Sequence, residues 1–294
     1  MTAVLGRRAA PGRRAVPRRR RTRARLVWIA QHSLAIALAL MFLGPLVFIA
    51  LTALMSNRQA LTADLWPDTW EWGNFAAVFT RAPMPRWFGN TLLYAGLATA
   101  FMLVSSVPVA YALARLRFRG GRVALVLVIA MMMLPPQVTA VPLYIVWARF
   151  GLADTLWPLI LPTLFGNAFS IFLLRQFLVT IPADYSDAAR VDGCGELRIL
   201  LRVILPMARP AVAAVALFHF FYCWNDYYGP LLYGSTNLDN WTLSVGLASF
   251  RALHRVEWNL TMAATLLVLA PVIVVFFFAQ RVFIEGVTLT GVKG

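Results

Sequence analysis

Residues 26–57 read LVWIAQHSLAIALALMFLGPLVFIALTALMSN, which is 32 residues without a Lys, Arg, Asp or Glu. About 20 consecutive apolar residues are enough to cross the hydrocarbon core of a bilayer as a helix. Further long charge-free runs cover residues 87–114, 123–148, 155–174 and 258–280. A helix satisfies its own backbone hydrogen bonds in lipid, so the pattern predicts an all-α polytopic membrane protein.

A sixth, shorter run covers residues 210–225 and stops at Asp226, but apolar residues resume at Tyr227 and continue to Tyr233. Counting this run as a span predicts six transmembrane helices. The strands of a membrane barrel would alternate polar and apolar residues in segments of about ten, and the sequence shows no such alternation. We therefore expect spans near residues 30–54, 89–113, 123–146, 156–178, 208–232 and 260–284.

The composition of the 294 residues excludes most other classes of protein. Hydrophobic residues make up 60% of the chain and charged residues 13%, whereas a soluble domain usually has about 45–50% apolar and about 25% charged residues. So much apolar surface cannot be covered by polar groups in water, and it is incompatible with disorder of the whole chain. The two cysteines are too few for a disulfide scaffold.

The distribution of basic residues predicts the orientation of the spans. If the N-terminus is in the cytoplasm, the cytoplasmic segments are the start of the chain, residues 114–122, residues 175–209 and the end of the chain. These segments carry 10, 4, 5 and 2 basic residues, which is 21 of the 27 in the chain. Cytoplasmic loops of membrane proteins have such an excess. We therefore expect both termini in the cytoplasm.

The first 25 residues contain ten arginines and no acidic residue. Such a segment buries too little apolar surface to fold, so we expect a disordered cytoplasmic arm over residues 1–25 and a transmembrane domain over residues 26–294. The arm could bind nucleic acid, but it lacks interleaved aromatic residues. Its position beside the first span favours a topology signal that lies on anionic lipid. The apolar run that follows is too long for a signal-peptide core of about 7–15 residues, so we expect it to be retained.

Tryptophan and proline predict the shape of the membrane region. Trp66, Trp70, Trp72 and Trp87 follow the first span. Since tryptophan favours the boundary between membrane and water, we expect an external loop that lies along this boundary. Spans three and four contain prolines, which remove backbone hydrogen-bond donors and predict kinked helices. These prolines are Pro135, Pro136, Pro142, Pro158 and Pro162.

The connection between spans four and five, at about residues 179–207, has the pattern of two short helices. Pro182 and Asp184 are typical of a helix start, and Gly193 suits the left-handed position that ends a helix. Glu196 falls in the first turn of the second helix, which would expose a compact knob of acidic and small residues. The same pattern fits an amphipathic hairpin at the membrane surface. The apolar stripe of the second helix is expected at Leu197, Leu200, Leu201 and Ile204.

The residues of this connection resemble the EAA loop in the permease subunits of bacterial ABC importers. That family usually has Glu-Ala-Ala, three further residues and Gly, and then Leu-Pro further along the chain. The matching residues here are Asp187, Ala188, Ala189, Asp192, Gly193, Leu205 and Pro206. Nearly everything after the arm is similar to the sugar-importer branch of the family, which includes the maltose permease. The residues that carry this similarity are Asn74-Phe75, Asn90-Thr91, Trp224-Asn225-Asp226 and Gly291-Val-Lys-Gly294.

The resemblance implies a type I ABC-importer architecture in the bacterial inner membrane, with the 179–207 loop as a coupling helix that docks in a cleft of the ATPase subunit. It implies as partners a heterologous sister permease, an ABC ATPase dimer and an extracytoplasmic solute-binding protein. The sequence has no phosphate-binding Gly-Lys-Ser/Thr loop and a single lysine, Lys293. We therefore expect no cofactor on this chain, with ATP and Mg in the partner subunit. Asp187 replaces the family's Glu, and Cys194 replaces an Ala.

The fifth span carries the residues that we expect along a translocation path, which are Tyr222, Trp224, Asn225 and Asp226. An ionisable group inside a membrane is a candidate functional residue, and aromatic faces with polar tips suit sugar rings. The same residues could instead cap the helix or hold the sister permease. His219, Cys223 and Asp226 share one helical face, but i and i+7 are separated by about 10 Å along the axis, too far for one tetrahedral metal ion.

The sequence therefore predicts a permease subunit, not an enzyme, that translocates a sugar or a related polar solute. A glycerophosphodiester or another non-sugar solute is the alternative within this family. An enzyme that modifies lipids would need clustered acids or histidine pairs at the membrane surface, and the external loops have only scattered ones. A channel or carrier that works alone would need no ATPase, so copurification distinguishes it from the importer subunit.

Overall fold

The structure is a computed structural model, and it describes residues 18–234, 236–252 and 257–290. The chain divides into two units, residues 1–50 and residues 51–294. In the described ranges every regular element is helical, as the sequence predicts. In chain order the helices are α1 (Arg18–Ala53), α2 (Gly73–Arg81), α3 (Met84–Arg115), α4 (Gly121–Met132), α5 (Pro136–Arg149), α6 (Trp157–Ile160), α7 (Ala168–Thr180), α8 (Asp184–Val191), α9 (Glu196–Ile199), α10 (Leu205–Met207), α11 (Arg209–Trp224), α12 (Tyr228–Gly234), α13 (Leu243–Ala252) and α14 (Trp258–Thr290).

By length and composition, four of the described helical segments can cross a membrane on their own, over Arg25–Ala53, Met84–Arg115, Trp157–Thr180 and Trp258–Phe278. Two further segments are pairs of helices joined at a sharp bend, and counting each pair as one span gives six. The structure therefore has four to six candidate spans, and the second bent pair, at residues 196–224, only partly overlaps the span predicted over residues 208–232.

The first unit holds most of α1, whose apolar residues occur on every face of the helix, as in a span surrounded by apolar groups. The helix begins at Arg18, so residues 18–25 of the predicted disordered arm are helical. Arginine is a good helix former, and a helix extends readily from an existing apolar segment. Residues 1–17 of the arm lie outside the described residues.

The third span, predicted as one kinked helix over residues 123–146, is two helices that meet at 95°. The break between α4 and α5 falls at Pro135, whose backbone is extended, and Pro136 begins α5. A residue that precedes a proline is driven out of the helical conformation, so the Pro-Pro pair ends one helix and starts the next. Pro142 lies inside α5 without ending it.

The fourth span is interrupted after its prolines. Pro158 and Pro162 occupy the first turn of α6 and of a 3₁₀ turn at Leu161–Phe165, where a missing N–H costs little. The interruption comes at Gly166, whose φ of 93° is readily adopted only by glycine. The Asn167 side chain then accepts a hydrogen bond from the Ser170 N–H at 2.9 Å and caps α7.

The fifth span is not the single helix predicted over residues 208–232, because α11 ends at Trp224 and α12 begins at Tyr228. The Asp226 carboxylate accepts a hydrogen bond from the Gly229 N–H at 3.1 Å. A carboxylate that caps the next helix competes with continuation of the previous one. At its other end α11 meets the helical segment Glu196–Met207 at a bend of 82°.

Helix α3 is the central element of the second unit. Over 32 residues it extends about 48 Å at 1.5 Å per residue. Near its start, Trp87 and Tyr94 belong to a buried cluster shared with α11, α13 and α14. Near its end, Met102 and Tyr111 belong to a second cluster shared with α7 and residues 199–208. One continuous helix, with Pro108 inside it, therefore joins the two parts of the molecule that carry the predicted site residues.

Candidate functional site

The 179–207 loop folds into the short helix α8 with the predicted start and end. Gly193 has a φ of 78°, the left-handed conformation that favours glycine. The Gly193 N–H donates to the Arg190 carbonyl at 3.0 Å, and the Cys194 N–H donates to the Ala189 carbonyl at 2.9 Å. These two bonds satisfy the last carbonyls of α8 and turn the chain sharply away from its axis.

Helix α8 has one buried face and one exposed face. Ser186 and Ala189, three residues apart, are buried at 2% and 9% exposure. Only small side chains allow the helix to lie this close to its neighbours, which explains the alanine at position 189. The opposite face is exposed, including the apolar side chain of Val191 at 87%. The predicted coupling residues Asp187, Ala188, Asp192 and Gly193 are exposed as well.

The apolar stripe predicted after α8 is only half right. Leu200 and Ile204 are buried, but Leu197 is 69% exposed and Leu201 is also exposed. Ile199 takes a place in the core that the sequence pattern did not assign. The reason is a π-helical turn over Leu200–Ile204, which shifts the side chains relative to regular α-helical spacing. Of the predicted Leu-Pro pair at the end of the loop, Leu205 is partly buried and Pro206 is exposed.

The charged residues of this loop form a continuous chain of hydrogen bonds. Arg190 donates through Nη1 to Asp187 Oδ1 at 2.7 Å and through Nε to Glu196 Oε1 at 2.8 Å. The Tyr111 hydroxyl of α3 donates to Glu196 Oε2 at 2.6 Å. The hydrogen bond from Arg190, with that from Tyr111 in addition, lowers the pKa of the Glu196 carboxyl below its usual range. Glu196 is therefore ionised at neutral pH and accepts on both oxygens.

An open groove of about 1,100 Å³ lies along the flank of α8. One wall comes from the end of α3 and the turn after it, including Arg115, Arg117 and Phe118. The other wall includes Ser186, whose buried Oγ has no hydrogen-bond partner among the described residues. Asp187 and Arg190, on the exposed face of α8, also line this groove.

The second group of predicted site residues lies at the corner between α11 and α12. Trp224 is 3% exposed and packs against Phe88, with ring centroids 5.8 Å apart. Asp226 accepts from the Tyr94 hydroxyl at 2.9 Å, in addition to capping α12. Both side chains point into the protein, where they join the corner to α3.

The other two predicted path residues, Tyr222 and Asn225, have exposed side chains. The Asn225 amide donates to the carbonyl of Phe221 in the preceding turn, at 2.8 Å. This local bond leaves the carbonyl oxygen of the amide available. The structure therefore divides the four predicted path residues into two that are exposed and two that are packed.

His219 and Cys223 do not form a metal site with Asp226. His219 Nδ1 lies 3.6 Å from Cys223 Sγ and 3.3 Å from Thr99 Oγ1, all inside the helix packing. Asp226 faces Tyr94 instead. Among the described side chains, no group of three His, Cys, Asp or Glu residues could hold a metal ion.

The Asn-Thr pair at the start of α3 anchors a distant loop. The Asn90 amide donates to the carbonyls of Asp239 and Trp241, at 2.6 and 2.9 Å. The Thr91 hydroxyl accepts from the Leu243 N–H at 2.8 Å. The resemblance marked this pair as a family feature, and its geometry shows a role in holding residues 239–243 on α3.

Asn74 has a similar role near the end of α1. Its amide donates to the carbonyls of Ala53 and Met55, each at 2.9 Å, and its oxygen accepts from Asn259 at 3.1 Å. The Asn74-Phe75 pair therefore joins three segments of the second unit. The tail at Gly291–Gly294 lies outside the described residues.

Sequence reasoning missed Tyr111, Arg115 and the pairing of Arg190 with Glu196. Tyr111 and Arg115 lie at the end of an apolar span, where tyrosine and arginine are usual boundary residues. A signal was present in the four-residue spacing of Tyr111 and Arg115, which puts both side chains on one face of the helix. Their partners on the loop could not be inferred without the tertiary structure.

Comparison with known proteins adds the family. Residues 106–288 match the family described as "binding-protein-dependent transport system inner membrane component". The chain is 32% identical over 282 residues to the arabinooligosaccharides transport system permease protein AraQ of Halalkalibacterium halodurans, covering 94% of this chain and 99% of that protein. It is 31% identical over 255 residues to the diacetylchitobiose uptake system permease protein NgcG of Streptomyces coelicolor, covering 85% and 84%.

The fold is also similar to a solved structure, that of a bacterial ABC transporter involved in the import of the acidic polysaccharide alginate. The TM-score is 0.75 at 24% sequence identity, covering 87% of this chain and 96% of the other. This similarity concerns the fold.

Proposed function

The chain belongs to the family of binding-protein-dependent transport system inner membrane components, and from this premise we propose that it is the permease subunit of an ATP-driven importer of oligosaccharides. The relatives described above, which are named for arabinooligosaccharides and diacetylchitobiose and match over most of both chains, support this substrate class. The observation that carries the proposal is the exposed α8 helix with Asp187 outward and its Gly193 turn, because this is the feature that an ATPase partner needs.

ATP hydrolysis belongs to a partner in this proposal. The sequence has no phosphate-binding loop, so ATP and Mg are bound by an ABC ATPase dimer and no cofactor is bound by this chain. A heterologous sister permease completes the membrane pathway, and an extracytoplasmic binding protein delivers the solute. The excess of basic residues, 21 of 27, supports a cytoplasmic location for both termini and for α8.

The exposed face of α8 is the docking surface for the ATPase. It combines carboxylates, an exposed apolar residue at Val191 and the backbone of a tight turn at Gly193. The carboxylate of Asp187 suits a cationic side chain of the partner. When the two ATPase subunits close, the paired coupling helices move together, and the cavity changes its open side because the contacts differ between the two states.

The translocation path follows Tyr222 and Asn225, the two exposed members of the predicted set. Stacking on an aromatic face and hydrogen bonds to an amide are the contacts that a sugar ring requires. Trp224 and Asp226 support this surface from behind, since both pack against α3. They act on the solute only through the position of the corner.

Uptake in proteoliposomes tests the proposal. The chain is reconstituted with the sister permease, ATPase and binding protein that copurify with it, and uptake of a labelled neutral oligosaccharide is measured with and without ATP. We expect uptake that requires both ATP and the binding protein. A glycerophosphodiester is the comparison solute, and its uptake without uptake of any sugar would refute the substrate class. Uptake by the chain alone would refute the importer subunit and favour a carrier.

A further inference from the structure

One turn of α3 contacts the chain at both ends of α8. Tyr111 and Arg115 are four residues apart and lie on the same face of α3. The Tyr111 hydroxyl donates to Glu196, which follows α8, and Arg115 Nη2 donates to the carbonyl of Ile181, which precedes it. The span therefore holds the short helix on both sides.

The contact at Glu196 continues to the exposed face of α8. Glu196 accepts from Arg190 with its second oxygen, and Arg190 also donates to Asp187. The three distances from the Tyr111 hydroxyl to the Asp187 carboxylate are 2.6, 2.8 and 2.7 Å. Asp187 is thus linked to α3 by an unbroken series of short, charge-assisted hydrogen bonds.

Apolar packing gives α8 little resistance to sliding. Its buried side chains are the small residues Ser186 and Ala189, and Ser186 Oγ has no hydrogen-bond partner among the described residues. Two small side chains bury little apolar area, so they contribute little free energy to hold α8 in place. Because an open groove lies between α8 and the end of α3, the position of α8 relative to α3 depends on the polar contacts at the two ends of α8.

The far end of α3 holds the corner that carries the proposed translocation path, together with the loop at residues 239–241. Tyr94 contacts Asp226, and Asn90 contacts the backbone of residues 239–241. Between these contacts and Tyr111, α3 stays helical throughout, with Pro108 inside it as the one residue of this stretch that donates no backbone hydrogen bond. A displacement of its end near Arg115 is consequently passed along the helix to the corner.

We propose that Tyr111 and Arg115, with Glu196 and Arg190 as their link, are the positioning residues that transmit movement of α8 to α3 and so couple ATP hydrolysis to transport. This inference rests on the proposed function, since it assumes that α8 docks on the ATPase. It adds residues outside the loop motif and assigns α3 as the helix that carries the movement. Asp187 is shared between Arg190 and the docked partner.

The test compares uptake with ATP hydrolysis in the reconstituted complex. Tyr111→Phe removes one hydroxyl, and Glu196→Gln removes the charge that holds Arg190. We expect each variant to assemble and to hydrolyse ATP, while the solute transported per ATP falls about tenfold, the loss expected for one charge-assisted hydrogen bond. Because both residues belong to the same link, breaking it twice should have no further effect. The double variant should therefore transport as much solute per ATP as either single variant.

Two matched variants serve as controls. Tyr144→Phe removes a hydroxyl in α5, and Glu71→Gln removes an exposed carboxylate before α2. Both should leave the ratio of transport to hydrolysis unchanged. A normal ratio in Tyr111→Phe and Glu196→Gln, or losses that multiply in the double variant, would overturn the proposal.

Failure of this inference can be told apart from failure of the proposed function. Asp187→Lys should abolish coupling if α8 docks on the ATPase at all. If Asp187→Lys stops uptake but Tyr111→Phe does not, the docking site is right and the link through α3 is wrong. If Tyr111→Phe does not assemble, Glu196→Gln provides the test, because Glu196 is partly exposed. A normal amount of solute transported per ATP in Glu196→Gln would then overturn the link.

Discussion

The α8 loop and the corner at Asp226 use their carboxylates in opposite ways. Asp187 is exposed and pairs with Arg190, a flexible cation on its own helix. Asp226 is partly buried and accepts from neutral donors, the Tyr94 hydroxyl and the Gly229 N–H. The first carboxylate is exposed and can also accept from a cation on another protein while it stays bonded to Arg190. The second is committed to the fold, since leaving its donors would open the corner.

Because of this difference, a change at each carboxylate should affect the free energy of folding differently. An exposed ion pair contributes about 0–1 kcal/mol to stability, so Asp187 can be changed with little effect on folding. A buried donor left without its acceptor costs about 1–3 kcal/mol, so a change at Asp226 should destabilise the fold. Under the proposed function, we therefore expect the Asp187 carboxylate to serve binding and the Asp226 carboxylate to serve folding.

The largest effect is expected for Gly193→Val, which should abolish uptake while the protein still reaches the membrane. A left-handed conformation costs an ordinary residue roughly 1–2 kcal/mol, and a β-branched side chain tolerates it least. No atom lies within 4 Å of an added Cβ at Gly193, so the strain comes from the backbone alone. Uptake and membrane insertion are measured together.

Gly195→Val is the matched control for that substitution. Gly195 also has no atom within 4 Å of an added Cβ, but its backbone is extended, with φ −72° and ψ 159°. A β-branched residue adopts this conformation easily, so uptake should be largely kept. Normal uptake in Gly193→Val would contradict the coupling role of the loop.

Gly246→Ala should be the most damaging single change near the start of α3. An added Cβ would lie 2.1 Å from Cε3 of the buried Trp87. Overpacking of a core costs typically about 1–3 kcal/mol, which should lower the thermal midpoint and the yield of assembled complex. Gly96→Ala, where nothing lies within 4 Å of the new Cβ, is the control. Equal stability of the two variants would show that Trp87 moves freely.

Asp226→Asn and Asp187→Asn test the comparison directly. The asparagine at 226 should destabilise the purified protein by about 1–3 kcal/mol, because one of the two accepting oxygens becomes an NH2 group that cannot accept from the Tyr94 hydroxyl or the Gly229 N–H. The asparagine at 187 should change stability by less than about 1 kcal/mol and reduce uptake instead. Thermal unfolding in detergent and uptake are both measured. A reversed order of the two stability effects would refute the division of roles.

Asn225→Ala should reduce uptake severalfold while the complex with the ATPase stays intact. The side chain is exposed and bonded within its own turn, so its removal leaves the fold unchanged. Uptake and substrate-stimulated ATP hydrolysis are the readouts. Loss of the complex itself would show that Asn225 binds the sister permease, and normal uptake would remove it from the path.

The smallest effect is expected from deletion of residues 2–17, which removes the outer part of the basic arm. Arg18 to Arg25 remain, with six basic residues beside the first span. Charges close to a span dominate its orientation, so topology and uptake should be unchanged. Loss of uptake in correctly inserted protein would indicate a specific partner for the arm.

The sequence was sufficient for features that depend on neighbouring residues. The run over residues 26–57 predicted a span because its apolar residues, as a helix, are long enough to cross the hydrocarbon core of a bilayer. Gly193 was read correctly as a helix end, since a left-handed position is a local requirement. By contrast, the prediction of one continuous helix over residues 208–232 was wrong. Asp226 accepts hydrogen bonds from the Gly229 N–H and the Tyr94 hydroxyl, and these bonds accompany a break in the helix.

Local composition and spacing therefore determined the helical membrane fold and the turns around α8, since each depends on interactions within a few residues. The tertiary structure alone decided which polar residues are buried and which are presented. Tyr111 and Glu196 are separated by 85 positions and meet at 2.6 Å. Contacts at such a separation leave no periodic signal in one sequence, because they arise only when independent helices pack together.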